Sequence, residues 1–227
     1  LGVIGVTLAG YLGTRRALAR HLYLDTAPVL IGFTVLAALI SLVLTRIVVV
    51  TALSYGLSRY ALEMVIRVLV LELIPLTAAL FVAMRCTIPN GTQLALLRQS
   101  GRLEDLRRLG ADPVRVELLP RAVAGVFACI TLAALSCVVA LVLAYLGVYG
   151  FSLAGLPSYT RMFGQVFAPA VTLVFVIKTL LFSLAVALIP MAAGLYDTGE
   201  RAQPDSELGG LARMFAVLLL IEVGSLV

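Results

Sequence analysis

The sequence predicts an all-α polytopic membrane protein with an N-terminal interfacial helix and five transmembrane helices. Of its 227 residues, 62% are hydrophobic and only 13% are charged, against about 25% charged residues in soluble proteins. The mean hydropathy is +1.10. A soluble protein of this size could not bury so many apolar residues in one core, because its surface must carry polar groups. The sequence also contains apolar runs of about 20 residues or more, each long enough to cross a bilayer as a helix.

The first predicted element is an interfacial helix over residues 1–25. Its charges (Arg15, Arg16 and Arg20) follow the apolar stretch, whereas in a signal peptide the charged region comes first. An amphipathic helix lying in the membrane interface fits this order better. The five predicted transmembrane helices follow, at 27–52, 60–86, 118–147, 166–193 and 208–227.

The distribution of basic residues predicts the orientation of the chain. Nine arginines lie in segments 1–26, 87–117 and 194–207, and only two lie in the opposite loops 51–59 and 148–164. Loops on the cytoplasmic side carry the excess of basic residues. We therefore expect a cytoplasmic N-terminus and a C-terminus on the outer side. The net charge of +5 then reflects topology, and nucleic acid is not an expected partner.

The polar segment between the second and third runs predicts a cytoplasmic helix over 92–110. Pro89-Asn90-Gly91 predicts a turn that ends the second span, and Thr92 can cap the helix that follows. Gly110 suits the C-terminus of that helix. Asp112-Pro113 suits the cap and first position of the next helix.

An apolar stripe with a charged rim makes this helix a candidate docking element. Three leucines recur every third residue beside charges of both signs, namely Leu103, Leu106 and Leu109 with Glu104, Asp105, Arg107 and Arg108. One interpretation is an amphipathic helix on the membrane surface. The other is a helix that docks into a groove of a cytoplasmic partner.

Four of the charged residues inside the predicted spans are candidates for a role in transport, namely Glu72, Lys178, Glu222 and Arg46. A charge at mid-bilayer costs at least about 2.5–3.5 kcal/mol, so such groups usually pair or line a cavity. We predict that Glu72, Lys178 and Glu222 form a buried polar cluster, with Arg46 a further member of a transport path. The cluster could equally be a structural ion pair that holds helices together. Glu63 and Arg67 are spaced for a local helical pair.

The motifs of catalysis and metal binding are missing from the sequence. It contains no Walker A loop and no hydrolase signature. Its only histidine is His21, so a histidine-built metal site is not expected. Cys86, Cys129 and Cys137 lie in apolar runs and are interpreted as buried thiols. The sequence therefore predicts no catalytic residue, and active transport would need energy from a partner or an ion gradient.

Several segments together resemble a known family. They are Leu71-Glu72-Leu73-Ile74-Pro75-Leu76-Thr77-Ala78-Ala79-Leu80, Arg85, Arg98, Leu103 to Gly110-Ala111-Asp112-Pro113, Pro120-Arg121-Ala122-Val123-Ala124-Gly125, Ile177-Lys178-Thr179 and Gly194-Leu195-Tyr196-Asp197. In order and spacing, over roughly 22–225, they resemble the MlaE/YrbE permease family. These proteins are the membrane subunits of ABC-type lipid transporters that work with MCE-domain proteins.

The resemblance implies a single transmembrane permease domain over 1–227 that moves phospholipid without covalent chemistry. It implies a second permease copy, most simply a homodimer, a periplasmic MCE-domain protein and a cytoplasmic ABC ATPase. ATP and Mg would bind only in that ATPase, and this chain would hold no cofactor. The implied location is the bacterial inner membrane, in a system for outer-membrane lipid asymmetry.

The resemblance also implies that the helix at 92–110 couples the permease to the ATPase. The residues placed in that role are Arg98, Leu103, Glu104, Leu106, Arg107, Arg108 and Leu109. The chain is a divergent member, because the family usually has Arg-Glu-Leu-Gly-Pro where this chain has Leu71-Glu72-Leu73-Ile74-Pro75. Two other functions remain open: an ion-coupled secondary carrier that uses Glu72 and Lys178, and a non-transporting scaffold subunit.

Overall fold

The computed structural model describes residues 30–56, 58–110, 112–196 and 204–226, which are almost wholly helical and contain no strand. Seven helices make up this part of the chain: α1 (Leu30–Ser54), α2 (58–99), α3 (Arg102–Arg108), α4 (Val114–Tyr149), α5 (Leu156–Val166), α6 (Pro169–Tyr196) and α7 (Pro204–Leu226). The interfacial helix predicted at 1–25 lies outside the described residues.

Four stretches of helix in the described ranges are long and apolar enough to cross a membrane. They are Leu30–Ser54, Tyr60–Gln99, Val114–Tyr149 and Pro169–Gly194. The chain is therefore a multi-pass, all-helical membrane protein. The fifth predicted span, 208–227, falls on the 23-residue helix α7, and its crossing of the membrane stays a prediction.

Helix α2 continues through the turn that the sequence predicted at Pro89-Asn90-Gly91, so that prediction was wrong. Ile88–Gln99 is α-helical, and the Thr92 hydroxyl donates to the carbonyl of Ile88 inside the helix instead of capping it. Gly91 serves close packing, because a Cβ there would lie 2.7 Å from the backbone oxygen of Pro190 in α6. The 40 residues of Tyr60–Gln99 extend about 60 Å. That is twice the thickness of the hydrocarbon core, about 30 Å, so α2 projects beyond it.

The prolines inside α2 and α4 each follow a π-helical stretch. The three stretches (Ile66–Leu73, Ala83–Thr87 and Val114–Leu118) each end two residues before a proline, respectively Pro75, Pro89 and Pro120. In each case the residue before the proline donates its N–H to the carbonyl five positions back. In an α-helix a proline ring would clash with the carbonyl four positions back. The wider π turn gives that carbonyl more room, and the helix continues.

The first of these prolines leaves one carbonyl for a partner in another helix. Pro75 has no N–H to donate to Val70, which is its acceptor in the π pattern. The Cys137 thiol of α4 donates to the Val70 oxygen instead, at 3.6 Å. Cys137 thereby ties α4 to the middle of α2. All three cysteines are buried thiols that form no disulfide in the described part of the chain, which confirms the sequence interpretation.

Small residues bring α2, α4 and α6 into close contact. The buried face of α4 carries mostly small side chains, including Ala124, Gly125, Ala128, Cys129, Ala133, Ser136, Ala140 and Ala144. A Cβ at Gly125 would lie 2.8 Å from a methyl carbon of Thr87 in α2, and one at Gly194 would lie 2.3 Å from the Gly91 oxygen. Because lipid is as apolar as leucine, such close backbone packing is what favours helix association in a membrane.

The predicted helix at 92–110 is two helices, so its predicted continuity was wrong. Gly101 adopts a left-handed φ of 77°, a conformation that glycine takes without steric cost and that ends α2. Helix α3 then begins at Arg102. Gly110 has the same φ of 77°, as a helix terminus requires. The Asp112 carboxylate accepts a hydrogen bond from the Val114 N–H at 3.0 Å, which confirms the predicted cap.

The segment predicted as a loop over 148–164 contains a further helix. A 3-10 turn at Leu153–Gly155 leads into α5, and Pro157 stands in its first turn, where the missing N–H costs nothing. The Tyr159 hydroxyl donates to the carbonyl of Leu141 in α4 at 3.0 Å, and burial raises the pKa of this phenol. Contacts of this kind, distant in the sequence, override the turn-forming composition on which the loop prediction depended.

Candidate functional site

Lys178 lies at the centre of an ionic cluster that joins three helices. Its ammonium Nζ in α6 donates a hydrogen bond to Glu72 in α2 and lies 2.9 Å from Oε2 of Glu222 in α7. Only 2% of the lysine side chain is exposed. The structure thus brings together three side chains that stand 106 and 44 positions apart in the sequence. We call Glu72, Lys178 and Glu222 the polar cluster.

The carboxylate side chains of the polar cluster are partly exposed, although Oε2 of Glu222 is buried, and the lysine is enclosed. The side chain of Glu72 is 29% exposed and that of Glu222 is 17% exposed. The cluster therefore lies at a lateral surface of this copy of the chain, with the ammonium on the protein side. Two carboxylates share one ammonium, so the fully ionised cluster carries a net negative charge in an apolar setting.

Local sequence positions each member of the polar cluster. Glu72 lies in the first π-helical stretch of α2, and such stretches recur at functional sites. Lys178 stands nine residues after the start of α6, or about 14 Å along it. Its Nζ also lies 5.8 Å from the ring centroid of Phe182, within the range of a cation–π contact. The arrangement can hold a polar group within the membrane.

The other charged residues within the membrane helices lie apart from this cluster. Arg46 is exposed, and among the described residues it makes no ion pair, so the structure does not bring it to the other three. Glu63 and Arg67 pair at 3.0 Å along α2, which confirms the predicted local pair. Both of these side chains are exposed.

The predicted docking residues divide between the interior and the surface. Leu103 is buried within the chain and Leu106 is partly buried, whereas Leu109 is 81% exposed. Glu104 and Arg107 pair at 3.4 Å along the exposed side of α3, and Arg108 is exposed beside them. Arg98, near the end of α2, is partly buried. The leucine stripe thus anchors α3 to its own chain at one end and reaches solvent at the other.

Sequence reasoning missed one buried charge, Arg121 near the start of α4. Its side chain is 8% exposed, its Nη2 pairs with Glu117 at 3.0 Å, and its Nη1 donates to the carbonyl of Asn90 in α2 at 3.4 Å. The spacing of Glu117 and Arg121 was the available signal, since residues four apart in a helix are neighbours. Arg121 fixes α4 to the part of α2 that carries α3.

Comparison with protein families decides the family of this chain. Residues 18–224 match the family described as Permease MlaE. The chain belongs to the MlaE permease family. A search of curated proteins gave no match. The resemblance seen in the sequence is thereby confirmed, over a range that contains nearly all of the described helices.

Membership in the MlaE permease family establishes the general class of activity. The chain is a membrane permease subunit of an ABC-type lipid transporter, and a subunit of this kind moves lipid without making or breaking covalent bonds. The polar cluster and the exposed end of α3 are then the two features of this MlaE permease that call for a role in transport.

Proposed function

We propose that this chain is the permease half of an ATP-driven transporter that moves phospholipid between the bacterial inner membrane and a periplasmic MCE-domain protein. The observation that carries the proposal is the family match over residues 18–224. Two copies of the chain form the membrane unit, each with five spans, a cytoplasmic N-terminus and a periplasmic C-terminus. A separate cytoplasmic ABC ATPase binds ATP and Mg and supplies the energy.

The polar cluster forms part of the lipid path in this proposal. Its support is the partial exposure of Glu72 and Glu222 at a lateral surface of the chain. A lipid headgroup, or the second copy, can reach carboxylates at such a surface, whereas Lys178 stays enclosed and holds them in place. Ionisable groups within a membrane are costly and are commonly functional for that reason.

Helix α3 and the projecting end of α2 form the docking surface for the ATPase. Leu109 is 81% exposed, and the side chain of Arg107 is 65% exposed. An apolar side chain beside exposed charges is suited to a groove in another protein. Arg121 links this surface to the start of α4 through the carbonyl of Asn90. A displacement of α3 would therefore be transmitted to the membrane helices.

The test is isolation of the tagged chain from its native membrane in mild detergent, followed by protein and lipid mass spectrometry. We expect an ABC ATPase, an MCE-domain protein and bound phospholipid to copurify. A well-folded chain that repeatedly comes out alone would contradict the proposal and favour the ion-coupled carrier, for which a proton-flux assay is the next measurement.

The docking surface has its own test in the double variant Arg107→Glu with Arg108→Glu. Charge reversal at an interface typically costs several kcal/mol, so we expect the ATPase to be lost from the isolated complex. Arg115→Glu is the matched control, because Arg115 is also a surface arginine, with a side chain 84% exposed, but lies outside α3. Retention of the ATPase by the double variant would argue against this docking surface.

A further inference from the structure

Residues 150–168, which connect α4 to α6, expose an apolar surface that the transport proposal does not use. We propose that α5 and the loop before it form a lipid-binding element, which inserts its exposed apolar side chains into the headgroup–acyl boundary of the leaflet opposite α3. This inference does not depend on the proposed function, because it concerns how the chain sits in the bilayer.

Two tyrosines hold this segment beside the end of α4. The Tyr159 hydroxyl of α5 donates to the carbonyl of Leu141, which lies eight residues before the last residue of α4, or about 12 Å along the helix. The Tyr145 hydroxyl of α4 donates to the carbonyl of Ser152 in the loop. Helix α5 is therefore anchored at the level of the apolar end of a span and does not stand above it.

Aromatic packing fixes the same position. The rings of Tyr145 and Tyr159 meet edge to face with centroids 5.2 Å apart, and Phe163 and Phe167 stack at 4.4 Å. Tyrosine is enriched at membrane–water interfaces because its ring is apolar and its hydroxyl is polar. The cluster thus has the composition of the interfacial layer of a membrane protein.

Helix α5 is amphipathic in a way that suits a position in the plane of the membrane. Its buried face carries Tyr159 and Val166, and the flank beside that face carries the exposed side chains of Leu156 and Phe163. At 100° per residue, the opposite side of the helix carries the polar and exposed residues Ser158, Arg161 and Gln165. Water can therefore meet one side of the helix while lipid meets the other.

The loop before α5 extends the apolar surface. Phe151 is 96% exposed and Leu153 is 80% exposed. The stretch 148–169 contains no acidic residue, and its one charge is Arg161, whereas a loop in solvent would carry charges of both signs. A polar face with a basic residue and an apolar face with phenylalanine and leucine are typical of helices in the interface.

Lipid is the occupant that the surroundings of this surface favour. The lipid-facing side chains of the adjoining spans continue into it, with Val142 in α4 54% exposed and Leu173 in α6 60% exposed. Both ends of the segment enter spans whose exposed side chains are apolar, so lipid lies next to the segment on both sides. A protein partner would have to displace that lipid first.

The absence of tryptophan from the chain makes a direct test possible. Phe151→Trp and Phe163→Trp each place one fluorophore on the apolar surface, and Gln165→Trp places one on the polar side of α5 as the matched control. Each full-length variant is reconstituted in phosphatidylcholine nanodiscs whose acyl chains carry bromine near the headgroup end. Circular dichroism and size-exclusion profiles equal to those of the parent chain show that each variant is folded.

We expect brominated lipid to reduce the emission of the two apolar-surface variants more strongly than that of the control, because an interfacial helix buries its apolar face about 5–10 Å into the headgroup–acyl boundary. The control should instead respond mainly to acrylamide in the water. The proposal is overturned if Phe151→Trp and Phe163→Trp respond to acrylamide as strongly as the control and not to bromine. It is also overturned if they become shielded only when other subunits are added, because the surface is then a protein interface.

Discussion

Replacing Lys178 by methionine tests how the polar cluster stabilises the membrane helices. The change keeps the approximate length of the side chain but removes the charge that lies between Glu72 and Glu222. Removing one partner of a buried ion pair typically costs about 3–5 kcal/mol, because the other charge is left buried. Since the carboxylate side chains here are 29% and 17% exposed, we expect a loss near the lower end, about 3 kcal/mol.

Two further variants make this measurement diagnostic. Combining Lys178→Met with Glu72→Gln and Glu222→Gln removes all three charges. Replacing a buried ionic triad by uncharged residues often changes the free energy of unfolding little. We therefore expect the triple variant to recover to within about 1 kcal/mol of the parent chain. Arg46→Met removes an exposed charge that pairs with none of the described residues and should change stability by less than about 0.5 kcal/mol.

The assay is the free energy of unfolding in mixed micelles titrated with denaturing detergent, followed by lipid transport of the reconstituted complex. A single Lys178→Met variant as stable as the parent would refute the reasoning that the lysine holds two partly buried carboxylates. Normal transport by the stable triple variant would show that the cluster only joins helices. Loss of transport in that variant would place the charges in the lipid path.

Two further sets of variants, at Gly194 and at Cys137, test the packing of α2. Gly194→Ala places a Cβ 2.3 Å from a backbone oxygen of α2, whereas a Cβ at Gly164 would have no atom within 4 Å. We expect Gly194→Ala to lower the free energy of unfolding by about 1–3 kcal/mol and Gly164→Ala to leave the helix packing intact. Equal free energies of unfolding for the two variants would contradict the close approach. Cys137→Ala removes the donor to the Val70 carbonyl and should cost about 0.5–1 kcal/mol, while Cys137→Ser should stay within about 0.5 kcal/mol. In a Pro75→Ala background the restored N–H satisfies Val70, so the cost of Cys137→Ala should largely vanish; an undiminished cost would show that the thiol acts by packing alone.

The departures of the structure from the sequence prediction have a common physical origin. Gly91 and Asn90 were interpreted as a turn because of their local preferences, yet α6 lies so close to α2 that only a residue without a Cβ fits at position 91. Leu103 was grouped with Leu109 by periodicity, but one is buried and the other is 81% exposed. At Gly91 a contact with a residue distant in the sequence decides the backbone conformation, and for the leucines periodicity alone could not show which one is buried.

The sequence predicted which type of residue forms the candidate site but only partly which of these residues lie together. Glu72, Lys178 and Glu222 were found because a charge in an apolar run is conspicuous and must be compensated. Arg46 belongs to the same class by sequence, but it lies on an exposed face of α1. Arg121 was quoted only within a family segment and was not predicted as a buried charge, because it lies near the start of its run, where a charge is not unusual.

The sequence by itself determined the class of the protein, the approximate places of the four membrane helices in the described residues and the family. The reason is that backbone hydrogen bonds in lipid must be satisfied within each span, so apolar run length alone specifies a helix. The lateral arrangement was decided only by the tertiary structure, since every face of a membrane helix can be apolar and periodicity cannot show which face packs. Glycine contacts between α2 and α6, the thiol at Val70 and the three-helix polar cluster fix that arrangement.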